Sequence, residues 1–247
     1  MTVATDALEA DRAALLEICA GLGEADWRAP SGCAGWTVQD VVAHMGALYW
    51  LVVDREKLPD VADLPTERAQ DVYVEYRRTM TTEQVLADYE SVSAAAIPRL
   101  ARLGGQDFEL PLGDLGTYKA SAVPTAYSFD HYVHIRLDLF APRGPLTGPP
   151  PPSDELRCAP ALDWIAAALP QQNAGAVASL PGVVEFVITG PGARTIEAGS
   201  GKPLGQVSMT APAFIKAITR RGDWAEAEIK LTGDQLTPAT LAGLKVF

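Results

Sequence analysis

Histidine is scarce in this chain: three occur in 247 residues, and all three lie in apolar surroundings. Two of them fall in the segment DHYVHIRLD at 130–138, which has an aspartate at each end. Residues four apart on a helix lie one above the other, so Asp130 and His134 are predicted to share an apolar helix face. His131 points in another direction on such a helix, and we expect both it and Arg136 to face water.

The third histidine lies in a similar setting. In GWTVQDVVAHMGALYWLVV, Thr37 and Asp40 have the spacing of a capping box, which places His44 about two turns into a helix and on its apolar face. If the two helices face each other, His44, Asp130 and His134 converge as two imidazoles and one carboxylate. Catalytic zinc and non-haem Fe(II) use this ligand set, with positions left open for water or substrate. A buried hydrogen-bonded network without metal is the alternative that the spacing leaves open.

Two more aspartates lie one helical turn from the candidate ligands. Asp40 and Asp138 are each placed to hold an imidazole by a hydrogen bond. We favour simpler roles, with Asp40 as the capping acid and Asp138 on a solvated edge. The cysteines are odd in number and lack the paired spacing of a zinc or redox motif, so we predict buried thiols without a role at Cys19, Cys33 and Cys158.

Charge and hydropathy restrict the possible partners. The formal net charge is −11 and no cluster of Lys and Arg opposes it, which disfavours nucleic acid and anionic membranes. The N-terminal residues MTVATDALEADRAALLEICAGL have the pattern of an amphipathic helix rather than of a signal peptide. The most apolar window, 41–53, is too short for a membrane span. We therefore predict a cytoplasmic protein that acts on small molecules, and the oligomeric state stays open.

Composition changes abruptly at 142–154, a segment with six prolines and two glycines that disfavours helix and strand. We predict a helical bundle over 1–141, a Pro-rich linker over 142–154 and a small α+β domain over 155–247. Helical periodicity before the linker is clearest at Val85, Tyr89, Val92, Ala96 and Leu100. After it, the patterns predict a helix at 155–169, strands beginning near Val183, Arg194 and Gly205, a helix at 212–220, a strand in EIKLTG and a closing helix from Thr237.

The stretch DWRAPSGCAGWTVQDVVAHM at 26–45 resembles the N-terminal signature of the mycothiol-dependent maleylpyruvate isomerase family, whose members have a DinB-like metal-binding four-helix bundle. The ending RRGDWAEAEIKLTGDQLTPATLAGLKVF resembles the final strand, GD turn and closing helix of the family's second domain, a sterol-carrier-like α+β fold. The family's metal ligands are the signature histidine and an E-x-x-x-H pair, which His44, Asp130 and His134 match. This chain departs from the family in two ways: Asp130 replaces the longer glutamate, and an aspartate common three residues after the last ligand is displaced by one, to Asp138.

The resemblance implies a zinc-dependent thiol transferase or isomerase in which mycothiol is the nucleophile and a small electrophile is the second substrate. It also implies an arginine from the second domain at the pocket, for which Arg220 and Arg221 are candidates, although cations near a helix C-terminus are favourable without any such role. Two alternatives stay open: another metal enzyme with the same ligands, such as an Fe(II) oxygenase or a hydrolase, and a non-catalytic module that binds an apolar ligand. We expect the loops at 58–65 and 104–117 to border the site.

Overall fold

The computed structural model describes residues 2–233 and 236–247. The part before the Pro-rich segment is mainly helical, as predicted. Its helices are α1 (Val3–Ala20), α2 (Glu24–Arg28), α3 (Val38–Val53), α4 (Thr66–Arg77), α5 (Thr82–Leu103) and α6 (Val123–Val133), and α6 continues as a π-helical turn over His134–Leu139. Two short antiparallel strands, β1 (Glu109–Pro111) and β2 (Thr117–Lys119), lie between α5 and α6.

Helices α1, α3, α5 and α6 pack against one another and bury the apolar faces that the sequence predicts. The capping box at the start of α3 is confirmed, because the Thr37 and Asp40 side chains each accept a hydrogen bond from the other's backbone N–H, at 3.2 and 2.9 Å. This cap sets the first turn of α3 and hence the direction in which His44 points. The predicted apolar stripe of α5 is buried at all five positions: Val85, Tyr89, Val92, Ala96 and Leu100.

The C-terminal part is a small α+β unit, as predicted. Four described strands form a sheet in the order β4-β3-β5-β6, in which β3 and β5 are parallel and the other neighbours are antiparallel. Its elements are α7 (Glu155–Gln172), α8 (Ala174–Ala178), β3 (Val183–Thr189), β4 (Arg194–Ala198), β5 (Pro203–Thr210), α9 (Ala211–Ile218), β6 (Lys230–Thr232) and α10 (Pro238–Leu241). The predicted GD turn includes Asp234, which lies outside the described residues.

The Pro-rich segment 142–154 contains no helix or strand, in agreement with its composition, although Leu146 forms an isolated bridge with Phe140. The two parts that it joins are not separated by solvent. One hydrophobic core includes Phe129 and Tyr132 of α6 together with Trp164 of α7 and Phe186 of β3. The division into two domains at 142–154 therefore stays a prediction, and α6 is the helix on which both parts pack. None of the helices in the described residues is long and apolar enough to cross a membrane.

Candidate metal centre

Helices α3 and α6 bring the three predicted ligands together. His44 Nε2 lies 3.2 Å from Asp130 Oδ1, and His134 Nε2 lies 3.4 Å from the same oxygen. One ligand atom from each of the three residues lies within 4.8 Å of the other two. Both imidazoles are buried, and Asp130 is partly exposed on the wall of a cavity. The convergence expected from the spacing is thus observed, and metal binding itself stays a prediction.

The spacing of these atoms suits a small divalent cation. With zinc–ligand bonds of about 2.0 Å, tetrahedral geometry places neighbouring ligand atoms about 3.3 Å apart. The two histidine–carboxylate distances of 3.2 and 3.4 Å are close to that separation. The second carboxylate oxygen, Asp130 Oδ2, is buried without a hydrogen-bond partner among the described residues. An unsatisfied buried acceptor beside two imidazoles is a feature that a bound cation would compensate.

The electrostatic state of the cluster follows from burial and from its one carboxylate. Burial lowers the pKa of His44, and the attraction of Asp130 only partly offsets this effect. Burial also acts against the charged form of His134, but the negative charge of Asp130 outweighs it and raises the pKa of His134 well above its ordinary value. For Asp130, the nearby imidazoles outweigh burial and hold the pKa well below its usual range. A cation would therefore displace a proton from His134 when it binds.

The expectation that Asp138 lies on a solvated edge is wrong. Its side chain is fully buried, Oδ2 lies 2.9 Å from His134 Nδ1, and Arg221 Nη2 donates to that same oxygen at 2.6 Å. Burial raises the pKa of Asp138, but the effects of His134 and Arg221 outweigh burial. The pKa is therefore held well below its ordinary value, and the carboxylate is ionised. The reason is tertiary: the π-helical turn carries Asp138 into the interface with the C-terminal part. Asp40, by contrast, caps α3, where its side chain accepts from the Thr37 N–H, and it pairs with Arg78.

The expectation that His131 and Arg136 face water is also wrong. His131 is fully buried, its Nδ1 lies 3.0 Å from the Tyr127 carbonyl oxygen, and its ring packs against the rings of Tyr49 and Tyr89. Arg136 is buried in an ion pair with Asp11 of α1. Both side chains are enclosed because α6 contacts α1, α3, α5 and α7, which leaves this helix little solvated surface.

Cysteine 33 is a site residue that the sequence reasoning missed. Cys19 and Cys158 are buried as predicted, but Cys33 is only half-buried, lines the cavity, and has its Sγ 3.6 Å from His134 Nδ1. Cys33, His134 and Asp138 form a second group with the spacing of metal ligands. The carboxylate of that group is already neutralised by Arg221, so the cluster around Asp130 suits a cation better. Spacing along the chain gave no signal for Cys33, since it precedes α3 in an irregular turn.

The cluster opens into a cavity of about 850 Å³ that both parts of the chain line. The Trp36 ring lies 5.0 Å from the His44 ring and forms one wall, with its indole N–H donated to Asp71 at 3.1 Å. The two loops expected to border the site do so, and their lining residues are Val61, Ala62 and Leu64 from 58–65 and Leu112, Gly113 and Leu115 from 104–117.

Both candidate arginines line the same cavity but make different contacts. Arg221 is held against Asp138, beside the ligand cluster. Arg220 is exposed, and its guanidinium donates to the carbonyl oxygens of Ala242 and Gly243 at 3.3 Å. Of the two arginines, Arg221 is the one that contacts Asp138, which in turn lies beside the candidate ligand His134. A catalytic role stays a prediction for both arginines.

Comparison with known proteins agrees with this arrangement. Residues 8–140 match the family model described as the mycothiol maleylpyruvate isomerase N-terminal domain. The whole chain is similar to a crystal structure of the mycothiol-dependent maleylpyruvate isomerase, with a TM-score of 0.62, 14% sequence identity and 96% of each chain covered. A variant of that enzyme with one histidine replaced by alanine gives the same values. At this identity the similarity concerns the fold, and no curated protein matches the sequence significantly.

Proposed function

This chain belongs to the mycothiol maleylpyruvate isomerase family of enzymes, as residues 26–45 predict, and from that membership we propose that it is a metal-dependent thiol transferase or isomerase. Its nucleophile is mycothiol and its second substrate is a small electrophile. The observation that carries the proposal is the convergence of His44, Asp130 and His134 on the wall of a cavity of about 850 Å³. Ligand sites of roughly 300–1,000 Å³ accommodate drug-sized molecules, so the cavity is large enough for a ligand of that size beside the cluster.

The three side chains fit a zinc ion by type, number and spacing. When bound, zinc leaves a position open for a thiol and favours the thiolate, whereas a free thiol with a pKa near about 8.5 is mostly protonated at neutral pH. His44 contributes an imidazole that its buried position keeps neutral, and Asp130 contributes the compensating negative charge. Trp36, fixed through Asp71, shields His44 and excludes water from one side of the cluster.

The C-terminal part contributes positive charge to the same cavity. Burial acts against the charged form of Arg221, but the adjacent Asp138 raises the pKa of Arg221 above its ordinary value, so the guanidinium stays charged. Arg221 uses Nε and Nη2 on Asp138 and Nη1 on the Thr219 carbonyl oxygen, and a guanidinium has five N–H donors in all. The remaining donors are the groups we assign to an electrophile that gains negative charge during thiol addition. Arg220, at the exposed rim, is the weaker candidate.

The proposal is tested by elemental analysis of the purified protein, before and after chelation and reloading with zinc. We expect near one zinc per chain in wild type and almost none in His44→Ala or His134→Ala, because each variant loses one of three ligands. His131→Gln is the matched control. His131 is the third histidine and lies on α6 next to Asp130, but it is outside the ligand set, so this variant should retain zinc.

Mycothiol-dependent consumption of an electrophile by the zinc-loaded protein is the second measurement. Bound iron in place of zinc, with turnover that does not need a thiol, would instead favour the oxygenase alternative. Failure of folded wild type to take up zinc would contradict the proposal and favour a binding module in which the cluster is a buried polar network.

A further inference from the structure

We propose that Asp138 is a positioning residue: it fixes the proton of His134 on Nδ1 and so leaves Nε2 free to bind a metal ion. The inference rests on the proposed function, because it concerns the same ligand cluster. It adds a role for a buried carboxylate outside the three candidate ligands, which would act on the metal affinity of the histidine that it contacts.

The carboxylate of Asp138 is held from several sides. His134 Nδ1 lies 2.9 Å from Oδ2, Arg221 Nη2 lies 2.6 Å from Oδ2, and Arg221 Nε lies 3.0 Å from Oδ1. Arg143 approaches Oδ1 to 3.5 Å. The backbone is fixed as well, because the Asp138 carbonyl oxygen accepts from the Gly32 N–H at 2.7 Å. With no exposed surface, this carboxylate has little freedom to turn away from the imidazole.

The direction of the His134 hydrogen bond follows from the chemistry of its partner. An ionised carboxylate only accepts hydrogen bonds, so the imidazole nitrogen that faces Asp138 must carry the proton. In the neutral ring the other nitrogen, Nε2, then has the free lone pair, and Nε2 is the atom that lies 3.4 Å from Asp130 Oδ1. Cys33 contacts the same Nδ1 at 3.6 Å, and a thiol is a weaker acceptor than a carboxylate.

The contacts of Asp138 Oδ2 decide which substitution tests this role. Oδ2 faces both His134 Nδ1 and Arg221 Nη2, so in Asp138→Asn the amide oxygen takes this position and still accepts from Nδ1. Asp138→Ala removes the acceptor altogether. The proton of the neutral His134 ring is then drawn to Nε2, on the side of Asp130, and blocks the nitrogen that would bind the metal ion. Loss of such a hydrogen-bond partner behind a metal ligand lowers metal affinity by about 10–100-fold.

Asp40 provides a matched control. It is also a buried aspartate, it pairs with Arg78 at 3.1 Å, and it lies one helical turn from His44. In the described part of the chain it makes no hydrogen bond to His44, whose Nδ1 has no partner. Asp40→Asn therefore removes a buried charge beside the cluster without altering the hydrogen bond of a candidate ligand.

The experiment measures zinc affinity by competition with a chelating dye, in wild type, Asp138→Ala, Asp138→Asn, Asp40→Asn and Arg221→Met. We expect about a 10–100-fold loss for Asp138→Ala and unchanged affinity for Asp40→Asn. Asp138→Asn keeps an acceptor at His134 Nδ1, and Arg221→Met leaves the carboxylate beside His134, so both should retain the affinity. Nitrogen-15 NMR of the histidine rings should show His134 protonated at Nδ1 in zinc-loaded wild type and at Nε2 in the neutral ring of Asp138→Ala.

Each result decides between the two proposals. Equal affinity of Asp138→Ala and wild type would overturn the positioning role and leave the proposed function intact. If Arg221→Met loses as much affinity as Asp138→Ala, the pair is merely structural and the inference fails. If Asp138→Ala does not fold, loss of affinity in Arg221→Met overturns the inference in the same way. Absence of zinc binding in folded wild type would overturn the proposed function and the inference together.

Discussion

The ion pair between Asp11 and Arg136 is the contact whose loss we expect to be most damaging to stability. Arg136 Nη2 lies 2.7 Å from Asp11 Oδ1, and the two side chains are 2% and 1% exposed. Arg157 of α7 donates to the same carboxylate at 2.8 Å, and Arg136 also donates to the Pro152 carbonyl oxygen. One carboxylate on α1 therefore joins α6, the Pro-rich segment and the C-terminal part.

Asp11→Asn keeps the shape of the side chain and removes its charge. Arg157 retains a second partner in Asp154, but Arg136 loses its only carboxylate among the described residues. Removing one partner of a buried ion pair typically costs about 3–5 kcal/mol, because an uncompensated charge stays in the interior. For a chain of this length each kcal/mol lowers Tm by about 2–4 °C, so we expect a decrease of about 6–20 °C.

Thermal unfolding followed by circular dichroism at pH 7 measures this decrease. Asp107→Asn is the control, since Asp107 pairs with Lys119 on the surface, where both side chains are mostly exposed and water screens the charges. We expect its Tm to equal that of wild type. If Asp11→Asn unfolds at the same temperature as this control, the buried pair does not stabilise the junction and the reasoning is refuted.

Three further predictions follow from the site. In native protein a bulky thiol reagent should modify Cys33 and spare Cys19, whose burial raises its pKa to about 12; equal labelling in a mass-spectrometric time course would contradict this. Gly32→Ala should lower stability by about 1–3 kcal/mol in urea titrations, because the added methyl group overpacks the site. That group would lie 2.9 Å from Asp138 Cα, whereas Gly105→Ala, with open space around it, should have no comparable effect. Zinc at one hundred times its Kd should stabilise wild type by about 2.7 kcal/mol in calorimetry and leave variants that lack a ligand unchanged.

Local patterns were sufficient for most of the fold. The capping box at Thr37 and Asp40 and the five-residue stripe of α5 are confirmed, because caps and helical periodicity depend on neighbours along the chain. The strands beginning near Val183, Arg194 and Gly205 are present for the same reason. The order β4-β3-β5-β6, with its parallel central pair, depends on contacts between distant segments and was not predicted.

The sequence by itself determined the helical part, the α+β part, the family and the three residues that converge between α3 and α6. These follow from residue types and short spacings, which act through local geometry. Only the tertiary structure decided the surroundings of that cluster. Asp138 is buried against Arg221, 83 residues away, and Cys33 contacts His134 across 101 residues, so no local pattern could reveal either contact. His131 and Arg136 were misjudged for the same reason: a helix that is packed on nearly every side buries polar residues that periodicity alone assigns to water.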